Sequence, residues 1–208
     1  MPDWLRIYHK LPYPAKMLAA GARGRYLNRW RYSAETEPMV AEYLARERWS
    51  VEQWHTWREE RMAFVLRRAA NDVPYYREQW ARRRASGDRA SAEYLENWPV
   101  LSKEALRATP RAFLADDCDS RSMFYEHTSG TTGKPLHIWL SRETVQAWFA
   151  LFEARARRWY GVDRHDRWAI LGGQLIAPVE RERPPFWVWN MGLSQLYLSA
   201  YHLAPEHI

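Results

Sequence analysis

Cysteine is almost absent from this sequence, and so are long apolar runs. Cys118 is the only cysteine among the 208 residues, so no disulfide can form within the chain, which suits a reducing compartment. No window approaches the roughly eighteen apolar residues of a membrane-spanning helix. The N-terminus lacks the apolar core of a secretory signal, because Arg6, His9 and Lys10 interrupt it. We therefore predict a cytoplasmic protein without a transmembrane segment.

Cys118 itself is not predicted to be a nucleophile. It lies in the acidic stretch Asp116-Asp117-Cys118-Asp119. Neighbouring carboxylates raise the pKa of a thiol and so disfavour the thiolate, which is the reactive form.

The composition indicates a globular protein with an uneven charge distribution. Apolar residues make up 47% of the chain, enough for a sizeable core, and no internal repeat is visible. The net charge is +6, and its excess lies in residues 1–31. That segment could bind nucleic acid, an anionic membrane or an acidic partner. We favour the alternative of a solvated, partly helical arm that packs on the rest of the chain through its aromatic residues, without specific nucleic-acid recognition.

Proline and glycine positions predict short helical segments at the start of the chain. Over residues 1–30, breaks are expected at Pro12, Pro14, Gly21 and Gly24. A second helix is predicted from about Glu37 to Arg48.

Capping residues predict the helices that follow. Ser50 stands at the capping-box spacing from Gln53 and should begin a helix that runs to about Ala70. Further helices are expected from Pro74 to near Gly87, and from Ser102 to a stop before Pro110. Residues 1–121 are therefore predicted to form a helical N-terminal section.

The sequence pattern changes after this section, and residues 122–208 are predicted to form an α/β section. Ser141 should cap a long helix that is terminated at Gly161. Strands are predicted on both sides of it, the third of them buried, at Met123–Thr128, Leu136–Leu140, Arg167–Leu171 and Gln195–Ala200. The fold class is thus α/β, with a helical front section (about 1–120) followed by strand, loop, strand, helix and strand.

The loop between the first two strands has the chemistry of a phosphate-binding site. It reads Thr128-Ser129-Gly130-Thr131-Thr132-Gly133-Lys134-Pro135. Glycine lets the backbone approach an anion closely, successive N–H groups and hydroxyls can surround phosphate oxygens, and a lysine adds positive charge. The alternative is an ordinary polar hairpin turn, but the high density of hydroxyl side chains next to a lysine favours a polyphosphate-binding loop.

The loop does not match the Walker pattern. That pattern needs a longer spacing between its glycines and a Ser or Thr after the lysine. Here only Thr131-Thr132 separate Gly130 from Gly133, and Pro135 follows Lys134. Pro135 also opposes a helix that starts directly after the lysine, so the loop is expected to join two strands.

Residues Thr128 to Leu136 resemble the phosphate-loop signature of adenylate-forming (AMP-binding) enzymes. The nearest resemblance is to the phenylacetate–CoA ligase branch, including the CapK-like proteins of capsular polysaccharide gene clusters. Three further segments resemble parts of that branch: Val73-Pro74-Tyr75-Tyr76-Arg77, Trp98-Pro99-Val100-Leu101-Ser102-Lys103 and Arg155 to Gly161. The resemblance extends over nearly the whole chain, and the loop is its most specific element.

The resemblance implies an ATP-dependent, AMP-forming carboxylate–thiol ligase. In such enzymes a carboxylate attacks the α-phosphate of ATP, pyrophosphate leaves, and a thiol, usually that of coenzyme A, displaces AMP from the acyl-adenylate. Carried over by position, the loop that holds the β- and γ-phosphates with Mg²⁺ would be Thr128, Ser129, Gly130, Thr131, Thr132, Gly133 and Lys134. Lys134 and Thr131 would stabilise phosphate charge without covalent catalysis.

Other elements of the family cannot be placed within the 208 residues: the adenine pocket, the acidic magnesium-binding residue and the C-terminal domain with its catalytic lysine. No metal ligand is therefore assigned. We expect an N-terminal fragment of such a ligase, not competent alone. The alternative is a split or degenerate relative that binds nucleotide beside a second chain in polysaccharide biosynthesis. His127 could reach a phosphate or acyl group, although a strand histidine bonded to its neighbours is favoured.

Overall fold

The computed structural model describes residues 3–128, 135–173 and 176–205. The helices are α1 (Asp3–Lys10), α2 (Tyr13–Arg31), α3 (Thr36–Ala45), α4 (Val51–Asp72), α5 (Pro74–Ala85), α6 (Lys103–Ala108) and α7 (Arg142–Ala156). The strands are β1 (Phe124–His127), β2 (His137–Leu140), β3 (Trp168–Gly172), β4 (Trp187–Asn190) and β5 (Gln195–Ser199). Short 3₁₀ turns lie at Arg46–Arg48, Leu95–Asn97, Pro110–Phe113, Ser120–Ser122, Arg158–Tyr160 and Ala200–His202.

The chain forms two compact units. The first combines residues 1–44 with 146–208, and the second is the continuous stretch 45–145. The predicted boundary between the helical section and the α/β section, at residues 121/122, is based on a change in the sequence pattern, and it stays a prediction. The mixed α/β class is confirmed, since a mainly helical part is followed by β1, the loop, β2, α7 and β3.

Helix α4 of the second unit begins where its capping residues predict. The Ser50 hydroxyl accepts a hydrogen bond from the Gln53 N–H at 3.2 Å, and the Gln53 side chain accepts one from the Ser50 N–H at 2.8 Å. Both bonds of a capping box are therefore present, and they satisfy N–H groups that a helix start leaves unpaired. Ser102 likewise caps α6, by accepting from the Ala105 N–H at 3.2 Å.

Aromatic side chains form the packed centre of the second unit. Trp80 on α5 is only 2% exposed, and its ring meets that of Trp98 edge-on with centroids 5.4 Å apart. Tyr76 also packs edge-on against Trp98, and Tyr75 stacks on Phe113 with centroids 4.2 Å apart. Two of the segments that resemble the phenylacetate–CoA ligase branch, residues 73–77 and 98–103, thus contribute to this core.

The turn after α5 is held by Asp88. Its carboxylate accepts hydrogen bonds from the Ala90 N–H at 2.8 Å and from Arg83 Nε at 2.6 Å. These two donors favour the ionised form, and they lower the pKa of Asp88 below its usual range.

Helix α2 of the first unit is continuous through both of its glycines, so the predicted breaks at Pro14, Gly21 and Gly24 are wrong. Pro12 does precede the helix, as its N-cap. A Cβ added at Gly24 would lie 2.7 Å from Cγ of Asn190, which is 1% exposed. The glycine is retained for close packing of α2 against β4, and the packing compensates for the low helix propensity of glycine.

The three described strands of the first unit form one sheet in the order β3-β5-β4. β3 runs parallel to β5, with Trp168 opposite Gln195, and β4 runs antiparallel to β5, with Trp187 opposite Leu198. β3 was predicted to be buried, and this is wrong, because alternate side chains are exposed and Leu171 is 51% exposed. β4 was not predicted.

Helix α7 carries a buried carboxylate at the centre of the first unit. Glu153 is fully buried, and it accepts hydrogen bonds from Arg157 Nη1 at 2.8 Å and from the Arg164 N–H at 2.9 Å. Arg158 Nε lies 3.4 Å from the same carboxylate. Glu37 bonds Arg158 at 3.1 Å and Arg164 at 2.5 Å. Arg157, Arg158 and Arg164 thus surround the carboxylates of Glu153 and Glu37.

Candidate phosphate-binding site

The predicted phosphate loop connects the two strands of an antiparallel hairpin. β1 pairs with β2 in a register that places Phe124 opposite Leu140 and His127 opposite His137. Beyond the last strand pair, the Thr128 N–H donates to the Leu136 carbonyl at 3.0 Å. The Leu136 N–H donates in turn to the Thr128 hydroxyl at 3.1 Å. The prediction that the loop joins two strands is confirmed.

Most of the predicted site residues lie outside the described part of the chain. They are Ser129, Gly130, Thr131, Thr132, Gly133 and Lys134. Thr128 is described and exposed, and its hydroxyl oxygen is used to close the hairpin. A hydroxyl can accept one bond and donate another, so the Thr128 hydrogen is still able to meet a phosphate oxygen.

One face of the hairpin carries aromatic rings next to the loop. Tyr125 stacks on His137 with an angle of 4° between the rings, and its hydroxyl is hydrogen-bonded to His137 Nδ1. The Trp139 ring lies 5.5 Å from that of Tyr125, and the His127 ring lies 6.3 Å from that of His137. Tyr125 and His137 were missed as neighbours of the site. The sequence signal that could have identified them is their spacing. Tyr125 lies two residues before His127, and His137 lies two residues before Trp139, and alternate residues of a strand share a face.

His127 was predicted to be either a phosphate or acyl contact or, with preference, a strand histidine bonded to its neighbours. The ring is exposed and makes no hydrogen bond to any residue that the structure describes. The preferred interpretation is therefore not supported within the described residues, and a ligand contact stays a prediction.

β2 contributes to the wall of an open, largely apolar cavity of 390 Å³. Trp139 and Leu140 line it together with Phe64 and Val65 of α4. Arg68 on its lining does not make the cavity cationic, because Asp117 accepts two hydrogen bonds from it, at 2.6 and 2.9 Å.

Cys118 lies on the same cavity lining. Burial and the adjacent Asp117 carboxylate raise the pKa of the Cys118 thiol. This agrees with the prediction that Cys118 is not a nucleophile, since the thiolate is disfavoured.

Within residues 3–128, 135–173 and 176–205, no group of three or more histidine, cysteine and carboxylate side chains could hold a metal ion. None of the helices in those ranges combines the length and hydropathy of a membrane-spanning helix.

Comparison with known proteins gives one distant relation. The chain is 22% identical over 134 residues to Protein CapK of Staphylococcus aureus, an alignment that covers 64% of this chain. The chain spans 29% of the length of that relative. No family model matches the chain, and no solved structure matches it significantly. The similarity supports a CapK-like relation.

Proposed function

We propose that this chain supplies the phosphate-gripping part of an ATP-dependent, AMP-forming carboxylate–thiol ligase. In that reaction a carboxylate oxygen attacks the α-phosphorus of ATP, and the bond to the departing pyrophosphate breaks. A thiol sulfur then attacks the acyl carbon and AMP leaves. The distant relation to CapK is compatible with this role.

The hairpin closure at Thr128 and Leu136 is the observation that carries the proposal. Two hydrogen bonds, at 3.0 and 3.1 Å, join Thr128 to Leu136, the residues on either side of 129–135. A glycine- and hydroxyl-rich segment with joined ends can turn successive N–H groups towards one anion. A Walker loop leads from a strand into a helix, whereas this loop leads into β2.

The hydroxyl and ammonium groups of the loop would have different roles in phosphate binding. The hydroxyls of Thr128 and Thr131 would donate to phosphate oxygens, and the Lys134 ammonium would offset charge on the β- and γ-phosphates. Bound Mg²⁺ would add charge compensation, and coenzyme A would be the thiol by resemblance. The chain's own contribution is therefore positioning and electrostatic stabilisation, not a covalent step.

Binding of ATP and of pyrophosphate, with Mg²⁺, tests the loop by titration calorimetry. A charge-assisted hydrogen bond contributes about 1.5–3 kcal/mol, and about 1.4 kcal/mol corresponds to tenfold in affinity. The double variant Thr131→Ala/Lys134→Ala should therefore bind both ligands at least about tenfold more weakly. Lys10→Ala is the matched control, because Lys10 is exposed on α1, and it should bind as the native chain does. Unchanged affinity in the double variant would show that the loop is wrongly assigned.

A second function is a non-catalytic nucleotide-binding partner of another chain in a polysaccharide-biosynthesis setting. The distant similarity to CapK is compatible with such a capsule-related setting. ATP–pyrophosphate exchange distinguishes the two functions, since exchange requires formation of an acyl-adenylate. ATP binding without exchange by the 208-residue chain, across a panel of carboxylates, favours the partner role. Exchange by the chain alone would overturn it.

A further inference from the structure

A second cationic site lies in the first unit and is independent of the loop. A cavity of 140 Å³ lies between the start of α2 and the strand β4. Two of its lining residues, Lys16 and Arg181, are basic, and the other lining residues have apolar or aromatic side chains.

Lys16 is buried to an unusual degree for a lysine. The residue is 6% exposed, and lysine is almost never so buried unless it is paired. Among the described residues it makes no side-chain hydrogen bond and no ion pair. Its nearest ring contact is with Tyr8, whose centroid lies 5.7 Å from Nζ. Burial and the charge of Arg181 lower the pKa of Lys16, so the ammonium is not compensated within the described chain.

The second cation, Arg181, also lacks a carboxylate partner. Its Nε donates to the Arg183 carbonyl at 2.7 Å, and no salt bridge to it is found within residues 3–128, 135–173 and 176–205. His9 beside Lys16 adds no negative charge. Burial and the nearby Lys16 ammonium lower its pKa, and both ring nitrogens are buried without a hydrogen-bond partner among the residues that the structure describes.

We propose that Lys16 and Arg181 bind the phosphate group of a small ligand inside this cavity. Two like charges in one cavity repel each other unless an opposite charge is supplied, and none of the described lining residues is a carboxylate. A phosphate group carries close to two negative charges at neutral pH and three acceptor oxygens, which matches a lysine and an arginine together. A carboxylate would leave one cation uncompensated.

The size of the cavity limits the ligand. Benzene alone fills a cavity of about 150 Å³, so 140 Å³ holds free phosphate, or the phosphate of a phosphomonoester whose small apolar body lies partly outside the cavity. In the phosphomonoester, the body would contact Trp187, Val188 and Pro185. Polyphosphate with a nucleoside is too large, which separates this site from the proposed function of the loop.

Titration calorimetry of the full chain with inorganic phosphate, phenyl phosphate and benzoate tests the site. The Thr131→Ala/Lys134→Ala background removes the contribution of the loop, and chloride buffer of matched ionic strength removes general salt effects. Lys16→Met should weaken phosphate and phenyl phosphate binding by about tenfold to a hundredfold, the range expected for one lost charge-assisted bond. Lys10→Met, an exposed lysine on α1, should leave both affinities unchanged.

Arg181→Met provides a second variant at a less buried position, and it should weaken the same two ligands. Tighter binding of phenyl phosphate than of phosphate identifies a phosphomonoester as the ligand, and equal binding identifies free phosphate. Both results support the site.

The folding of Lys16→Met is checked in phosphate-free buffer. There it should be at least as stable as the native chain, because the substitution removes the repulsion between Lys16 and Arg181 and keeps a side chain of similar length. Native affinity in Lys16→Met, or benzoate binding as tight as phenyl phosphate, would overturn the proposal.

Discussion

Two glycines of one helix should respond in opposite directions to the same substitution. Gly21 and Gly24 both lie inside α2. Alanine at either position gains the helix propensity that glycine lacks, about 0.5–1 kcal/mol. A Cβ at Gly21 would lie 3.8 Å from Met191, which is ordinary van der Waals contact. Gly21→Ala should therefore raise the free energy of unfolding.

A Cβ at Gly24 has no such space. It would lie 2.7 Å from Asn190 Cγ and 2.8 Å from Nδ2. The Asn190 side chain cannot turn away freely, because it is 1% exposed and its Oδ1 accepts a bond from the Gly192 N–H at 3.0 Å. Overpacking costs about 1–3 kcal/mol. The propensity gain is common to both variants, so the difference between Gly21→Ala and Gly24→Ala should equal this cost.

Urea unfolding followed by far-ultraviolet circular dichroism measures both variants against the native chain. Gly21→Ala should move the unfolding midpoint to higher urea and Gly24→Ala to lower urea, with similar slopes. Two variants that shift in the same direction by the same amount would refute the close packing of α2 against Asn190.

Two other predictions concern buried and exposed carboxylates. Glu153→Gln should lower the free energy of unfolding by about 3–5 kcal/mol, because it leaves Arg157 buried without its partner charge, whereas Glu143→Gln in the exposed first turn of the same helix should cost at most about 1 kcal/mol. Equal urea midpoints for these two variants would contradict the assigned role of Glu153. Asp88→Asn should be less stable than the native chain at neutral pH, and the gap should close in acid. The folded-state pKa of Asp88 is lowered, so its stabilisation is present above the unfolded-state pKa and is lost as pH falls through the folded-state value. Urea midpoints measured across the acid range test this, and a gap that stays constant would count against it.

Local signals in the sequence predicted the elements whose causes are local. The capping box at Ser50, the cap at Ser102 and the start of α5 at Pro74 depend on residues within one helical turn, and each is confirmed. The hairpin around the loop was predicted for a similar reason. Its two strands are separated by a short segment rich in glycine and hydroxyls.

The structural features that the sequence did not predict depend on packing between residues that are distant in sequence. Gly24 looks like a helix breaker until Asn190 is placed against it. β4 pairs antiparallel with β5, whereas β3 pairs parallel with it. No local sequence pattern specifies β5 as the neighbour of β4. Lys16 belongs to the basic segment that was expected to be solvated, but the residue is buried and lines one cavity together with Arg181. These contacts depend on tertiary structure, which overrides propensity and composition.

The division of the chain into units also sets an order for synthesis. Residues 45–145 form a continuous unit, so all of its internal contacts are available once that stretch has left the ribosome. The helices α1–α3 belong to a unit that is completed only by residues 146–208, more than a hundred positions later. Contacts with such long separation in sequence close slowly, and domains generally fold as units from the N-terminal side. Residues 45–145 can therefore complete their fold before residues 146–208, which carry the sheet of the first unit, have been synthesised.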